Sequence, residues 1–502
     1  MGIASDWAKI FHNEGDSFVV QQPEASCKSI FIDAQIVLMR SCIKEDETWK
    51  DYVRRSFFSL ITKHFATFDV VILSFDFYGS VPIFKSLTQT SRVDKVKSGF
   101  TFDDRQTLPP SPPDPAIWSQ AIMNRDFKTK LISFITTMIL SEYTPPRRGV
   151  TLLVDFVNVT KVSWKPITID YASRDPVRTV LTDMLPMGEG DVKFLRFIQL
   201  FGDLLVDSID SDCLLIAAHY IVRHKYTKNL YIRRYKTRMP ESTAGIGVTL
   251  DNMVVTGGGA AQAARAGKRT LTGALQGPGG ILKGPREGGL GGSRRAKLEY
   301  EIVHVNMLVE MLHLSMKQAV PRNIDTGDAL HLNAVLIFVV LLCGCDYSKK
   351  LPRIGVRGVW ERLHILVPAL LTSTSYNQQE VFVVDVDQTI NTMVSGLYAS
   401  AFSKHVDAQN AGDMDAVLLQ LQHSKLAAKT KQDMPTHESL RTMILNIEWV
   451  INYWAIENGD PVCNIDGSNG FSMNNKNKLV WGAAPPSFKA PEGLPGSASG
   501  IE

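Results

Sequence analysis

Seven acids in this chain stand where an apolar run gives way to something else: Asp33, Asp76, Glu189, Asp191, Asp210, Asp212 and Asp346. Asp33 interrupts SIFIDAQIVL, and Asp76 falls near the end of DVVILSFDF. Glu189 and Asp191 belong to GEGD, just ahead of VKFLRFIQLF. Asp210 and Asp212 belong to IDSD, ahead of LLIAA, and Asp346 follows VVLLCGC. Residues two apart on an extended segment share a face, so Asp210 and Asp212 can point the same way. Acids at a helix start are favoured by the helix dipole, which suits Glu189 and Asp191. Carboxylates crowded into one crevice repel, so some stay protonated unless cations join them. Mg²⁺ takes oxygen ligands and keeps several waters. Two such ions about 4 Å apart can activate a water and stabilise the leaving oxygen of a phosphodiester. Four to seven acids fit that chemistry better than glycoside hydrolysis, which needs two. Taken singly, each acid also suits a cap or a turn; it is the repeated placement that argues for a cluster.

Lys85, Gln89 and Arg92 follow the second apolar run. Their spacing places them along one face of a helix. Such a stripe beside an acidic metal crevice could hold a terminal phosphate, and it equally suits a solvated helix face.

These acids need elements to gather them. Ser29 to Leu38 reads as a buried strand running into a helix, and Asp69 to Phe77 as a second strand. Gly149 to Val157 is a third, and Leu204 to Ile209 a fourth that ends at Asp210 and Asp212. Near-continuous apolar strands separated by helical segments indicate a mostly parallel sheet with helices on both faces, an α/β fold. Ligands of open parallel sheets bind beyond the carboxyl ends of the strands, and acids placed there meet in one crevice.

The chain has 502 residues, of which 44% are hydrophobic and 21% charged, so it can bury a core and global disorder is excluded. Six scattered cysteines give no disulfide framework, and Cys343 and Cys345 have no second pair at zinc spacing. The opening MGIASDWAKIF lacks a signal-peptide pattern, and Ala329 to Cys345 reads as a buried helix rather than a membrane span. An intracellular protein with no membrane partner, of the nucleus or the cytoplasm, is therefore expected. Net charge is only +3, but the glycine-rich stretch from Thr256 to Lys297 carries eight basic residues against one acid. That leaves the remainder mildly acidic. The basic stretch reads as a tether or as a non-specific nucleic-acid arm. The expected organisation is a core of residues 1–240 and 298–370, a flexible insertion at 241–297, a helical C-terminal region at 371–470 and a disordered tail at 471–502.

The order of these motifs resembles the 5′-nuclease superfamily, which contains the flap endonucleases and the Xrn-type 5′→3′ exoribonucleases. PIFKSLTQTSR (Pro82 to Arg92), GEGDVKFLRFIQ (Gly188 to Gln199), IDSDCLLIA and IEWVINYW (Ile447 to Trp454) are similar to Xrn-type stretches. GCDYSKKLPRIGVRGVWERL (Gly344 to Leu363) and the spacing of Asp191 and Asp210 resemble flap endonucleases. The resemblance implies a PIN-like nuclease fold with the seven acids holding two Mg²⁺ ions, or Mn²⁺ in their place. It implies a 5′-monophosphate pocket made by Lys85, Gln89 and Arg92. It also implies a helix-turn-helix element in which Gly355, Arg357 and Gly358 grip a nucleic-acid strand, with K⁺ bound beside it. The partner would be RNA or DNA with a 5′ end. The chain departs from the pattern: Phe77, not glycine, follows Asp76; Asp191 replaces the second glutamate of the Xrn-type motif; the glycine-rich insertion is unusual; and neither the large C-terminal domains of Xrn-type enzymes nor a glutamine-and-aromatic sliding-clamp motif is found. A compact or virus-encoded member fits these departures. The rival expectations are a nuclease-like fold that only binds nucleic acid or a protein, and an unrelated α/β enzyme.

Overall fold

The computed structural model describes residues 18–44, 47–75, 115–158, 163–173, 175–181, 190–208, 212–237, 298–321, 328–344, 348, 351, 353–378, 380–423, 435–454, 471–473 and 479–481. The chain divides into two compact units, one of residues 2–234 and 302–502, the other of residues 235–301 with Met1. The insertion at 241–297 lies outside the described residues.

Nine strands form one sheet. Its strands are β1 (Val19–Val20), β2 (Ser29–Asp33), β3 (Val70–Ser74), β4 (Thr151–Asn158), β5 (Ser163–Asp170), β6 (Val177–Val180), β7 (Leu204–Asp207), β8 (Leu230–Thr237) and β9 (Leu298–His304). The order across the sheet is β1-β9-β8-β7-β2-β3-β4-β5-β6. The centre, β8-β7-β2-β3-β4, is parallel. β5 and β6 extend one edge antiparallel, and β1 pairs antiparallel with β9. The sheet is therefore mixed, with the expected parallel centre and an antiparallel edge that SWKPITID and VRTV do not announce. All four residues of β6 are exposed, and Pro166 interrupts β5, so neither reads as a buried run.

Side chains alternate across the central strands, and this builds two cores. On β2, Ile30 and Ile32 enter one core while Phe31 enters the other; on β3, Val71 and Leu73 part from Ile72 in the same way. Helix α1 (Ala34–Arg40) lies on the first face with α2 (Arg125–Glu142). The opposite face carries α3 (Gly190–Phe201), α4 (Asp212–Arg223), α5 (Val305–Ala319), α6 (Ala329–Leu342) and α7 (His437–Trp454). Helices thus cover both faces, as a parallel centre requires. The apolar stretch from Ala329 is the buried helix α6, and no described helix is long and apolar enough to cross a membrane. Helix α7 packs on α6 and α4, so the C-terminal helical region shares this core. Inside the stretch expected as a tail, Phe471–Met473 pairs antiparallel with Leu479–Trp481.

Three described histidines, His64, His219 and His304, are buried in these layers. Burial pushes the His219 pKa down to about 3 and, with the nearby Arg233 charge, the His64 pKa down to about 4. Both lie below the ordinary imidazole value of 6.5. The folded chain therefore keeps them neutral, while the unfolded chain takes up protons below about pH 6.5. Stability is expected to fall as pH drops from about 6.5 towards 4, each histidine adding up to about 1.4 kcal/mol per pH unit. Urea unfolding at pH 7, 6, 5 and 4 measures this. His219→Leu should flatten the slope, and an unchanged slope would rule His219 out as its source.

Candidate active site

Five neighbouring parallel strands bring polar residues together in one rim at the carboxyl ends of β2, β3 and β7. Asp33 ends β2 in register with Ser74, the last residue of β3. Ile32 is in register with Asp207, the last residue of β7, and Asp207 with Arg233 of β8. On the other side Leu73 is in register with Val154, so Asp155 on β4 stands at the level of Ser74.

Asp33 is buried and caps α1: its Oδ1 accepts the Gln35 N–H at 3.0 Å. Its Oδ2 accepts the Ser208 hydroxyl at 3.4 Å. That bond joins the end of β2 to the segment after β7. Asp212 is the first residue of α4 and is 2% exposed. Here the structure corrects the extended reading of IDSD. β7 closes at Asp207, not Ile209, and Asp212 opens a helix. Its carboxylate gains from the dipole at that position. Asp191 lies in the first turn of α3, which agrees with a placement at a helix start.

Asp76, Lys85, Gln89, Arg92, Glu189, Asp210 and Asp346 lie outside the described residues. The rim thus gathers Asp33 with the segment that leads to Asp212. Among the described residues, no group of three or more His, Cys, Asp or Glu is placed to hold a metal ion. The described candidate donors, Asp33 and Asp212, are buried carboxylates, and hard oxygen donors suit Mg²⁺ or Mn²⁺.

The expected helix-turn-helix element, Gly344 to Leu363, follows α6 and contains a short helix, Val356–Trp360. Gly344 and Arg353 adopt positive φ in the connection between them. Gly355 caps the short helix, and Gly358 lies within it rather than in a hairpin. A Cβ at Gly358 would come 3.1 Å from the Ile354 side chain, so a larger residue there would require Ile354 to give way by a few tenths of an ångström. Arg357 is 91% exposed and donates from Nε to Glu361 at 2.6 Å. That neighbour keeps its pKa above the usual guanidinium value.

Two rim acids carry interactions that the sequence reading passed over. Asp207 accepts from the Arg233 guanidinium in a part-buried pair joining β7 to β8. Asp155, fully buried, accepts on Oδ2 from the Ser74 hydroxyl at 2.5 Å, from the Phe75 N–H at 3.2 Å and from Lys193 Nζ at 3.2 Å. Its Oδ1 has no hydrogen-bond partner among the described residues. The available signal was an acid inside GVTLLVDFV, where a strand buried on both faces has no ordinary use for one. The chain matches no known family model and no curated protein.

Proposed function

We propose that the protein is a metal-dependent nuclease that hydrolyses phosphodiester bonds of RNA or DNA near a 5′ end, with Xrn-like 5′→3′ exoribonuclease action favoured. The observation that carries this reading is the linked pair of strand ends. Asp33 and the approach to Asp212 come from adjacent central strands and are joined through Ser208. This is where open parallel sheets bind ligands. Asp33, Asp76, Glu189, Asp191, Asp210, Asp212 and Asp346 would hold two Mg²⁺ ions, which when bound supply an activated water and charge for the leaving oxygen. Asp33 holds its carboxylate at a fixed angle, because the α1 cap and Ser208 each occupy one of its oxygens. Lys85, Gln89 and Arg92 would read the 5′ phosphate, and binding would weaken with salt because phosphate contacts release counterions.

A structure-specific DNA endonuclease is the second reading. Its support is the connection from α6 to the short helix at Val356–Trp360, with Gly355 as the cap of that helix and Gly358 inside it. One assay separates the two. Matched 5′-phosphate and 5′-hydroxyl RNA, single-stranded DNA and flap DNA are incubated with Mg²⁺ and the product lengths read. Mononucleotides from 5′-phosphate RNA are expected. Cleavage of flap DNA alone would select the second reading. No product with either Mg²⁺ or Mn²⁺ would defeat both in favour of a nucleic-acid-binding or scaffold protein.

A further inference from the structure

Asp155 and Lys193 are 0% and 1% exposed, and neither belongs to the acids and basic residues assigned above to metal or phosphate. Lys193 donates to Asp155 Oδ2 and also to the Phe75 carbonyl. Asp155 Oδ2 in turn accepts the Phe75 N–H. Both backbone polar groups of Phe75 are therefore held by one buried ion pair. Phe75 immediately precedes Asp76, and Lys193 stands two residues after Asp191 in the first turn of α3. The pair thus ties together two chain segments, each of which carries a candidate metal acid within two residues.

A buried ion pair is a poor way to gain stability, because desolvating two charges offsets their attraction and apolar residues of the same volume serve as well. Its advantage is direction. An ammonium and a carboxylate satisfied at fixed angles permit few arrangements of the backbone they grip. Partners behind the ligands of a metal site commonly work this way.

We infer that Asp155 and Lys193 form a positioning clamp that sets the end of β3 and the first turn of α3 for metal binding. This inference rests on the nuclease reading. Neither residue touches the substrate; both act through Phe75 and the start of α3.

The test uses the full chain and Mn²⁺ alone, titrated calorimetrically, alongside kcat and KM on 5′-phosphorylated RNA. Asp155→Asn and Lys193→Met are each expected to weaken Mn²⁺ binding about tenfold or more. They should lower kcat by a similar factor and leave KM within about twofold, since the phosphate-reading residues are untouched. Added Mn²⁺ should recover part of the lost activity. Should either charge variant fail to fold, Ser74→Ala decides. It removes one donor to Asp155, keeps the charges paired, and is expected to weaken Mn²⁺ about threefold, less than the tenfold or more that follows loss of a charged partner. Folded variants with wild-type Mn²⁺ affinity and kcat would overturn the clamp while leaving the nuclease reading intact. A wild-type chain that takes up no Mn²⁺ would overturn both.

Discussion

Lys193→Met is expected to lower the unfolding free energy by about 3–5 kcal/mol, the cost of leaving one member of a buried pair uncompensated. Asp155 is fully buried, so solvent cannot replace the lost ammonium. The substitution also removes the donor to the Phe75 carbonyl, a second buried polar group. Adding Asp155→Asn in the same chain should recover part of the loss. The neutral amide still accepts from the Phe75 N–H and the Ser74 hydroxyl, and no isolated charge remains. The double variant is therefore expected to be more stable than Lys193→Met alone by about 1–3 kcal/mol, a coupling that a double-mutant cycle isolates. Urea unfolding at pH 7, followed by tryptophan fluorescence, supplies all four corners. If the double variant lost as much as the sum of the two single variants, the two charges would not be interacting, and the pair would lose its place in the site as well.

The same pair shows where the amino-acid sequence stops being informative. The parallel centre was legible because SIFID, VVILS and LLVD are apolar almost throughout, the mark of strands covered on both faces. Their order in the sheet was not, because it depends on crossovers rather than on any residue. The edge strands β5 and β6 were missed because they carry Pro166 and an exposed VRTV. Asp33 was legible as a strand-end acid, since the apolar run breaks there. Asp212 was placed on an extended segment because spacing two apart suits a strand; nothing in IDSD says that a helix begins at its last residue. Asp155 was hidden because its meaning lies in Lys193, 38 residues away, and in Ser74, 81 residues away. Local pattern reports periodicity and punctuation. It does not report which buried charge meets which.

Asp212→Asn is expected to reduce metal-dependent cleavage by about 10³-fold or more, a loss of about 4 kcal/mol in transition-state stabilisation, while binding of 5′-phosphorylated RNA survives. The change is nearly isosteric and removes a charge, which forfeits the dipole interaction at the start of α4, about 0.3–1 kcal/mol. Asp33→Asn makes the same argument from the neighbouring strand. Asparagine caps a helix as well as aspartate does, so the bond from the Gln35 N–H and the start of α1 should persist. A fall in activity in Asp33→Asn then reports lost charge at the rim, not lost structure. Both variants are compared with the wild type for cleavage rate, for RNA affinity by filter binding, and for urea midpoint. The reading predicts that rate collapses while the other two hold. Full activity in either variant would remove that residue from the metal site. Full activity in both would detach the chemistry from Asp33 and Asp212, the two described buried carboxylates that the reading assigns to the metal.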